Sequence, residues 1–162
     1  MKKKILIFGK NSQLGNTFRE KKFKNKIKKF VVKFLSKKEC NLKNQKKILF
    51  FIKKFNPDII INFASYNDVE KAEKDNNCFK INSNSIKTIN KICIKKNIYF
   101  IHFSTDYVFD GKKKYNYSEI SQTNPLNKYG MSKLYGEKNI INSKNKKILI
   151  LRTSWLYSKY NN

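Results

Sequence analysis

The hydrophobic residues of this chain fall into short continuous runs that alternate with longer amphipathic stretches. The apolar runs predict buried strands over residues 4–8, 30–35, 58–65, 98–103 and 147–151. Helical periodicity is predicted over residues 16–24, 43–54, 69–74, 78–97 and 129–141. Because strands and helices alternate along the whole chain, we expect an α/β fold with a doubly wound parallel sheet, in a single domain spanning residues 1–162.

The composition is compatible with a folded domain in spite of a high positive charge. The chain has 162 residues, of which 40% are hydrophobic, and a formal net charge of +26. The charge comes almost entirely from lysines along the whole length, with arginine only at Arg19 and Arg152. Proteins that read nucleic acids rely largely on arginine forks, so we attribute the lysines to a coding bias and expect no nucleic-acid partner.

Cysteine usage and the N-terminus indicate where the protein works. Cys40, Cys78 and Cys93 are odd in number and form no C-x-x-C pair, which predicts free thiols in a reducing compartment. The first apolar run stops at Gly9, too short for a signal peptide, and no stretch reaches the length of a membrane span. We therefore expect a cytoplasmic protein without membrane contact, and no cluster of metal ligands is visible in the sequence.

A glycine-containing turn follows the first strand and precedes the first helix. Its spacing is G-x-x-S-x-x-G, from Gly9 through Ser12 to Gly15. Free N–H groups and the positive end of a helix dipole favour a phosphate at such a turn. The Ser12 hydroxyl could bond a phosphate oxygen, but only if the backbone there does not need a positive φ. An ordinary strand-to-helix turn is the alternative.

The end of the second predicted strand concerns the choice of a dinucleotide. Dinucleotide-binding sheets often carry an acid there for the adenosine ribose. Here Lys37 and Lys38 come first and the first acid is Glu39. A cationic strand end favours a 2′-phosphate, so we expect NADPH in preference to NADH.

A tyrosine and a lysine four residues apart suggest proton transfer. On a helix, Tyr129 and Lys133 would lie on the same face, and the ammonium would lower the phenol pKa from about 10. The fourth strand ends in Ser104 and Thr105, and either hydroxyl could hold a substrate oxygen while Tyr129 exchanges a proton with it. The same spacing also occurs by chance in a chain rich in lysine and tyrosine.

Several segments together resemble the dTDP-4-dehydrorhamnose reductase family, a branch of the extended short-chain dehydrogenases. They are ILIFGKNSQLG, NPDIIINFASYNDVEKAE, INSNS, FIHFSTDYVFDG, PLNKYGMSK, GEK and LRTSWLY, in register up to about Tyr157. The resemblance implies an NAD(P)-binding Rossmann fold that uses NADPH or NADH. It also implies reduction of the 4-keto group of dTDP-6-deoxy-L-lyxo-4-hexulose to dTDP-L-rhamnose.

The resemblance further implies roles for particular residues. Tyr129 would donate the proton, Lys133 would bond the nicotinamide ribose and lower the Tyr129 pKa, and Thr105 would bond the keto oxygen. Asp106 and Trp155 would join Thr105 and Tyr129 in touching the sugar nucleotide. The remaining positions implied for the cofactor are Gly9, Ser12, Gln13, Leu14, Gly15, Asn41, Leu42, Ala64, Ser65, Tyr66 and Asn67.

The chain also departs from the family pattern. Ser12 replaces the middle glycine of the turn, Asn41 replaces an aspartate beside adenine, and Phe63 is larger than usual. Purely structural roles remain open for several residues: packing for Trp155 and Tyr107, a turn for Asp106, a helix cap for Ser65, and a buried, satisfied imidazole for His102.

The family continues beyond the last residue of this chain. We therefore expect a cofactor half with most of the sugar-binding lobe missing, completed by a second chain or in a homodimer. Two alternatives to a reductase stay open. One is a non-catalytic NADP-binding relative, like the regulatory subunit of methionine adenosyltransferase, and the other is an inactive fragment.

Overall fold

Five parallel strands form one sheet in the order β2-β1-β3-β4-β5. The strands are β1 (Lys4–Phe8), β2 (Val31–Leu35), β3 (Ile59–Asn62), β4 (Tyr99–Thr105) and β5 (Ile148–Thr153). The structure is a computed structural model that describes residues 1–143 and 145–160, and the side chains of these except at positions 21, 22 and 24. The predicted doubly wound parallel sheet is confirmed.

The helices lie where periodicity predicts them, but two predicted helices are divided. The helical elements are α1 (Gln13–Phe18), α2 (Lys21–Lys26), α3 (Gln45–Phe55), α4 (Val69–Lys74), α5 (Asn77–Phe79), a π-helical segment (Lys80–Asn84), α6 (Ser85–Lys96), a 3₁₀ turn (Asp106–Val108) and α7 (Lys128–Ile141). The helix predicted over 16–24 is split into α1 and α2. The one predicted over 78–97 is split by the π-helical segment.

The two faces of the sheet are covered unequally. On one face α3, α6 and α7 enclose the larger apolar cluster, which includes Ile60, Ile86 and Phe100. On the other face Leu14 and Phe18 of α1 pack on a smaller cluster of β1 and β3 side chains. The β4 and β5 side of this second face is more open, because Tyr99 is 50% and Leu149 49% exposed.

Tight packing at Gly9 brings the ends of β1 and β3 together. Gly9 has a φ of +94°, and a Cβ there would lie 2.7 Å from the backbone nitrogen of Ala64. A side chain at this position would therefore be strained and would push the two strand ends apart.

Asn127 is the N-cap of α7: its side-chain oxygen accepts a hydrogen bond from the backbone N–H of Gly130 at 2.7 Å.

The cysteines are free, as the sequence predicts, and all three are buried. Burial raises the pKa of the Cys40 thiol to about 11 and that of the Cys93 thiol to about 12. In the part of the chain that the structure describes, none of the helices has the length and apolar character needed to cross a membrane.

Candidate functional site

A cavity of about 920 Å³ lies at the carboxyl ends of β1, β2 and β3. This is the edge of a doubly wound sheet where ligands bind. Its lining includes eight of the positions that the sequence assigns to the cofactor: Gly9, Ser12, Asn41, Leu42, Ala64, Ser65, Tyr66 and Asn67.

The glycine turn is closed by Ser12 itself. The backbone of Ser12 is extended, with a φ of −70°, so the position does not require glycine. Its hydroxyl donates to the carbonyl of Gly9 at 2.8 Å and accepts from the N–H of Gly15 at 3.1 Å, which makes it the N-cap of α1. A bond from this hydroxyl to a phosphate oxygen would therefore require its proton to leave the Gly9 carbonyl, and the phosphate contact stays a prediction.

Two other positions in the turn face away from the cavity. The Leu14 side chain packs in the smaller apolar cluster, on the face of the sheet that α1 covers. The Gln13 side chain donates to the carbonyl of Leu156 at 2.8 Å. Only their backbone N–H groups, which lie in the first helical turn and need an outside acceptor, are suited to a diphosphate.

The far end of the cavity carries the cationic end of β2. Lys37, Lys38 and Asn41 line it. The carboxylate of Glu39 is folded back and accepts from the N–H of Ser36 at 2.8 Å and from its hydroxyl at 2.7 Å. These hydrogen bonds lower the Glu39 pKa, so the carboxylate is ionised. Because it is bonded to Ser36, it is not directed at a ribose.

The predicted proton-transfer residues lie at the start of α7 and the end of β4. The hydroxyls of Thr105 and Ser65 lower the pKa of the Tyr129 phenol, but burial is the largest influence and raises it. Its pKa is therefore above the usual value of 10. The expected lowering by Lys133 is wrong for the protein without ligands, because the phenol loses water and the ammonium points elsewhere.

Lys133 is a buried residue of α7. Lys133 is only 3% exposed, and its Nζ donates a hydrogen bond to the carbonyl of Phe103 at 2.6 Å. Burial lowers the Lys133 pKa to about 8, while the nearby carboxylate of Glu137 raises it. The ammonium has donors left over for hydroxyl groups of a ligand.

The positions assigned to the sugar nucleotide are only partly brought together. Thr105 donates its hydroxyl to Asp106 at 3.0 Å, and Asp106 also accepts from the hydroxyl of Ser154 at 2.7 Å, which ties β4 to β5. The Tyr107 ring lies edge-on to the Tyr129 ring at 5.6 Å. Trp155 is 78% exposed, so packing does not account for it.

Almost the whole chain matches one protein family. Residues 2–162 match the sequence model described as "RmlD substrate binding domain". The chain belongs to the RmlD family. It is 34% identical over 160 residues to dTDP-4-dehydrorhamnose reductase of Aggregatibacter actinomycetemcomitans, covering 98% of this chain and 53% of that protein. It is 35% identical over 156 residues to the Salmonella typhimurium protein of the same name, covering 95% and 52%.

Solved structures with the same name show the same fold. The protein from Bacillus anthracis, solved in complex with NADP, superposes with a TM-score of 0.91 at 32% identity, over 100% of this chain and 57% of that one. The protein from Clostridium acetobutylicum gives 0.86 at 32% identity, over 98% and 56%. The predicted family resemblance is confirmed, and the chain spans about half the length of the curated relatives it matches.

In this RmlD family member, Asn82 connects the cavity to α7, a role that the sequence did not predict. Its amide nitrogen donates to the carbonyl of Tyr66 and to the hydroxyl of Ser132, each at 2.9 Å. Its amide oxygen accepts from the Tyr66 N–H at 2.9 Å and from the Ser65 hydroxyl at 3.1 Å. The only signal was the INSNS motif, polar residues inside a predicted helix.

The ion pair between Glu137 and Arg152, with Nη2 of Arg152 2.7 Å from the carboxylate, was not predicted from the sequence either. For His102 the predicted burial is confirmed, but its hydrogen bonding is not as expected. Nδ1 of His102 accepts from Nδ2 of Asn62 at 3.3 Å, which places the imidazole proton on Nε2. Nε2 is buried and has no partner among the described residues, so the expectation of a fully satisfied imidazole is wrong. Burial and the charge of Lys133 hold the His102 pKa well below its usual value.

Proposed function

We propose that this chain is the cofactor-binding and proton-donating part of a reductase of the dTDP-rhamnose pathway. The reaction would reduce the 4-keto group of dTDP-6-deoxy-L-lyxo-4-hexulose to give dTDP-L-rhamnose. One observation carries the proposal: the half-buried phenol of Tyr129 lies near the hydroxyls of Ser65 and Thr105 and one helical turn from Lys133, and Ser65 also lines the cavity at the carboxyl ends of the strands.

The residues present fit NADPH. The cavity runs from the Gly9 turn to Lys37 and Lys38. Because Glu39 is occupied by Ser36, the β2 end offers positive charge to a 2′-phosphate and no carboxylate to a ribose. When bound, the cofactor would supply the hydride to the carbonyl carbon.

The chain's own residues would supply the proton and hold the substrate oxygen. Its raised pKa keeps the Tyr129 phenol protonated near neutral pH, so the phenol can donate to the oxygen as it becomes an alkoxide. The Thr105 hydroxyl would leave Asp106 and donate to that oxygen, since a hydroxyl has only one proton to give. Lys133 would donate to ribose hydroxyls.

A matched pair of tyrosine variants tests the proposal. With NADPH and the keto-sugar nucleotide, we expect Tyr129→Phe to lower the rate of NADPH oxidation about 100-fold or more, because the general acid is lost. Tyr135→Phe is the control, since Tyr135 lies on the same helix with 45% of its surface exposed. Equal rates for wild type and Tyr129→Phe would contradict the proposed role.

A non-catalytic NADP-binding role is the second candidate. Trp155, which is assigned to the sugar nucleotide, is 78% exposed, so the sugar side of the candidate site is open to solvent. An open site admits water, which weakens the electrostatic interactions on which catalysis depends. A folded sample that binds NADPH but shows no substrate-dependent oxidation, with or without the polypeptide described next, would favour this role.

We further propose that a second polypeptide, equivalent to the part of the relatives that this chain does not span, completes the sugar site. Support comes from β5, which pairs with β4 on one side only among the described strands, and from Trp155, which follows β5 and is 78% exposed. Mixing the two polypeptides should raise NADPH oxidation and produce a heterodimer in light scattering. A homodimer of this chain with unchanged activity on mixing would contradict this proposal.

A further inference from the structure

The segment that follows β5 is bonded to two other parts of the chain at the carboxyl edge of the sheet. On one side, the Ser154 hydroxyl donates to the carboxylate of Asp106 at 2.7 Å. On the other side, Nε2 of Gln13 on α1 donates to the carbonyl of Leu156 at 2.8 Å. We propose that Gln13 is a positioning residue that holds Trp155 at this edge, so that the glycine turn and Trp155 respond to a ligand as one unit. The inference rests on the proposed function only for the identity of that ligand.

The backbone of Trp155 is strained. Its φ is +44°, in the left-handed region. The other non-glycine residues with a positive φ among those described are Asn56 and Asn97, which end α3 and α6. Asparagine is enriched in this conformation, whereas a bulky residue keeps it only where the surrounding structure imposes it. Hydrogen bonds on both neighbours, Ser154 and Leu156, provide that constraint.

The Trp155 side chain does not fasten the segment. Its ring cannot be fixed by burial, since Trp155 and Tyr157 are each 78% exposed. A second link to the α1 side is the ion pair between Lys159 and Glu20 at 3.5 Å, in which the lysine side chain is 68% exposed. An exposed ion pair of this kind contributes little. Gln13 is therefore the main described link between this segment and α1.

Gln13 is placed to connect the segment with the cavity. It directly follows Ser12, which lines the cavity together with Gly9. The Ser12 hydroxyl bonds the backbone of Gly9 and of Gly15, so the turn is held as one piece. A ligand that contacts the turn would therefore act on Trp155 through the Gln13 side chain.

The Asp106 contact extends the connection to the candidate proton-transfer residues. Asp106 also accepts from the hydroxyl of Thr105, at the end of β4, at 3.0 Å. Trp155 is thus held between the glycine turn and the group proposed to bond the keto oxygen. Fixing an exposed side chain before the substrate arrives lowers the conformational entropy that is lost on binding.

The fluorescence of Trp155 tests the first part of the proposal, because Trp155 is the only tryptophan in the chain. Without ligand, we expect Gln13→Glu to lower its fluorescence anisotropy by about a third or more, since a released loop moves on the nanosecond timescale. A glutamate keeps the side-chain length, but its ionised carboxylate cannot donate to the Leu156 carbonyl. Gln45→Glu is the matched control, since Gln45 is the exposed first residue of α3.

Addition of NADP⁺ tests the connection to the turn. The oxidised cofactor does not absorb the light that tryptophan emits, so a change in emission reports on the surroundings of Trp155. With saturation checked by calorimetry, we expect NADP⁺ to change the emission of the wild type, and Gln13→Ala to reduce this change by about half or more. Gln45→Ala should keep the wild-type response. A bond that only fastens the segment would alter the anisotropy and leave the response to NADP⁺ as it is.

Unchanged anisotropy in folded Gln13→Glu and Gln13→Ala overturns the proposal, because other contacts would then hold Trp155. An equal response to NADP⁺ in wild type and Gln13→Ala overturns it too, as does no response in a wild type that binds NADP⁺. A wild type that does not bind NADP⁺ counts against the proposed function instead, and the anisotropy of the ligand-free variants then decides the role of Gln13 by itself.

Discussion

At the scale of single residues, loss of water changes the chemistry of this site more than neighbouring charge does. The pKa of Tyr129 is raised, and the pKa values of Lys133 and His102 are lowered, with burial the largest cause in each case. A rule based on spacing alone gives the opposite sign for Tyr129, because it considers the charge of Lys133 but not the burial of the phenol. The spacing of Tyr129 and Lys133 indicates which groups are neighbours, but not their protonation.

The buried imidazole predicts a pH dependence of stability. The folded-state pKa of His102 lies well below its unfolded value of 6.5, so in the pH window just below 6.5 the unfolded chain binds more protons than the folded chain. The free energy of unfolding should therefore fall as the pH is lowered through this window, by up to about 1.4 kcal/mol per pH unit. Denaturant titrations at a series of pH values measure it.

His102→Gln provides the comparison, because His102 is the only histidine in the chain. This variant should lose the part of the slope that comes from the imidazole, while the carboxylates, which titrate mainly at lower pH, still contribute. Identical slopes for variant and wild type in this pH window would show that the folded protein does protonate His102.

The cationic end of β2 predicts the cofactor preference. In Lys37→Ala with Lys38→Ala, we expect affinity for NADPH to fall about tenfold or more and affinity for NADH to change little, because only NADPH carries a 2′-phosphate. Nucleotide fluorescence titrations measure both dissociation constants. The control is Lys53→Ala with Lys54→Ala, which removes two exposed lysines at the end of α3. Parallel losses for both cofactors would contradict a 2′-phosphate contact.

At the scale of elements, the π-helical segment between α5 and α6 has a clear consequence. An extra residue in a helical turn displaces the side chains around it, and such segments are frequent at functional sites. Here Asn82 is 1% exposed, and the hydrogen bonds of its side-chain amide join the π-helical segment to Ser65 and Tyr66 and to Ser132 on α7. A continuous α-helix over 78–97 was the simpler prediction, since local periodicity does not record contacts made 50 residues away.

Replacing Asn82 should therefore affect stability and binding together. In Asn82→Ala we expect the free energy of unfolding to fall by about 2–3 kcal/mol, because the backbone N–H and C=O of Tyr66 lose their partner. NADPH affinity should fall too, since Tyr66 and Ser65 line the cavity. Asn84→Ala is the control, an exposed asparagine in the same segment. Similar stabilities for the two variants would mean that the network contributes little.

At the scale of the whole molecule, the sheet face that carries Tyr99 and Leu149 is only partly covered by the described helices. Both side chains are about half exposed and lie on neighbouring strands, with Ile101 opposite Leu149 in the register. Contiguous exposed apolar surface of this kind commonly marks an interaction site. This is the physical basis for a second polypeptide on this face.

A hydrophobic dye can report on this surface. In Tyr99→Lys with Leu149→Lys, dye fluorescence should fall by about half or more, while the unfolding free energy changes little because neither side chain is fully buried. Phe50→Lys is the control, since Phe50 is 54% exposed on α3, on the other side of the sheet. An equal decrease in the control would mean that the dye does not select this face.

The sequence by itself determined the layered fold, the strand ends and most of the residues at the cavity. Continuous apolar runs leave a strand few alternatives to burial between helices, so β1 and β4 were predictable. Parallel strands place their carboxyl ends at one edge, which is why Ser65, Asn41 and Gly9 line one cavity although they lie far apart in the chain.

Only the tertiary structure decided what these side chains do once they are there. The hydroxyl of Ser12 caps its own helix, Glu39 is folded onto Ser36, and the ammonium of Lys133 donates to the carbonyl of Phe103. Each of these outcomes is set by which partner lies within hydrogen-bonding distance and by how much water is excluded. Both are properties of packing between distant segments, and local sequence patterns do not contain them.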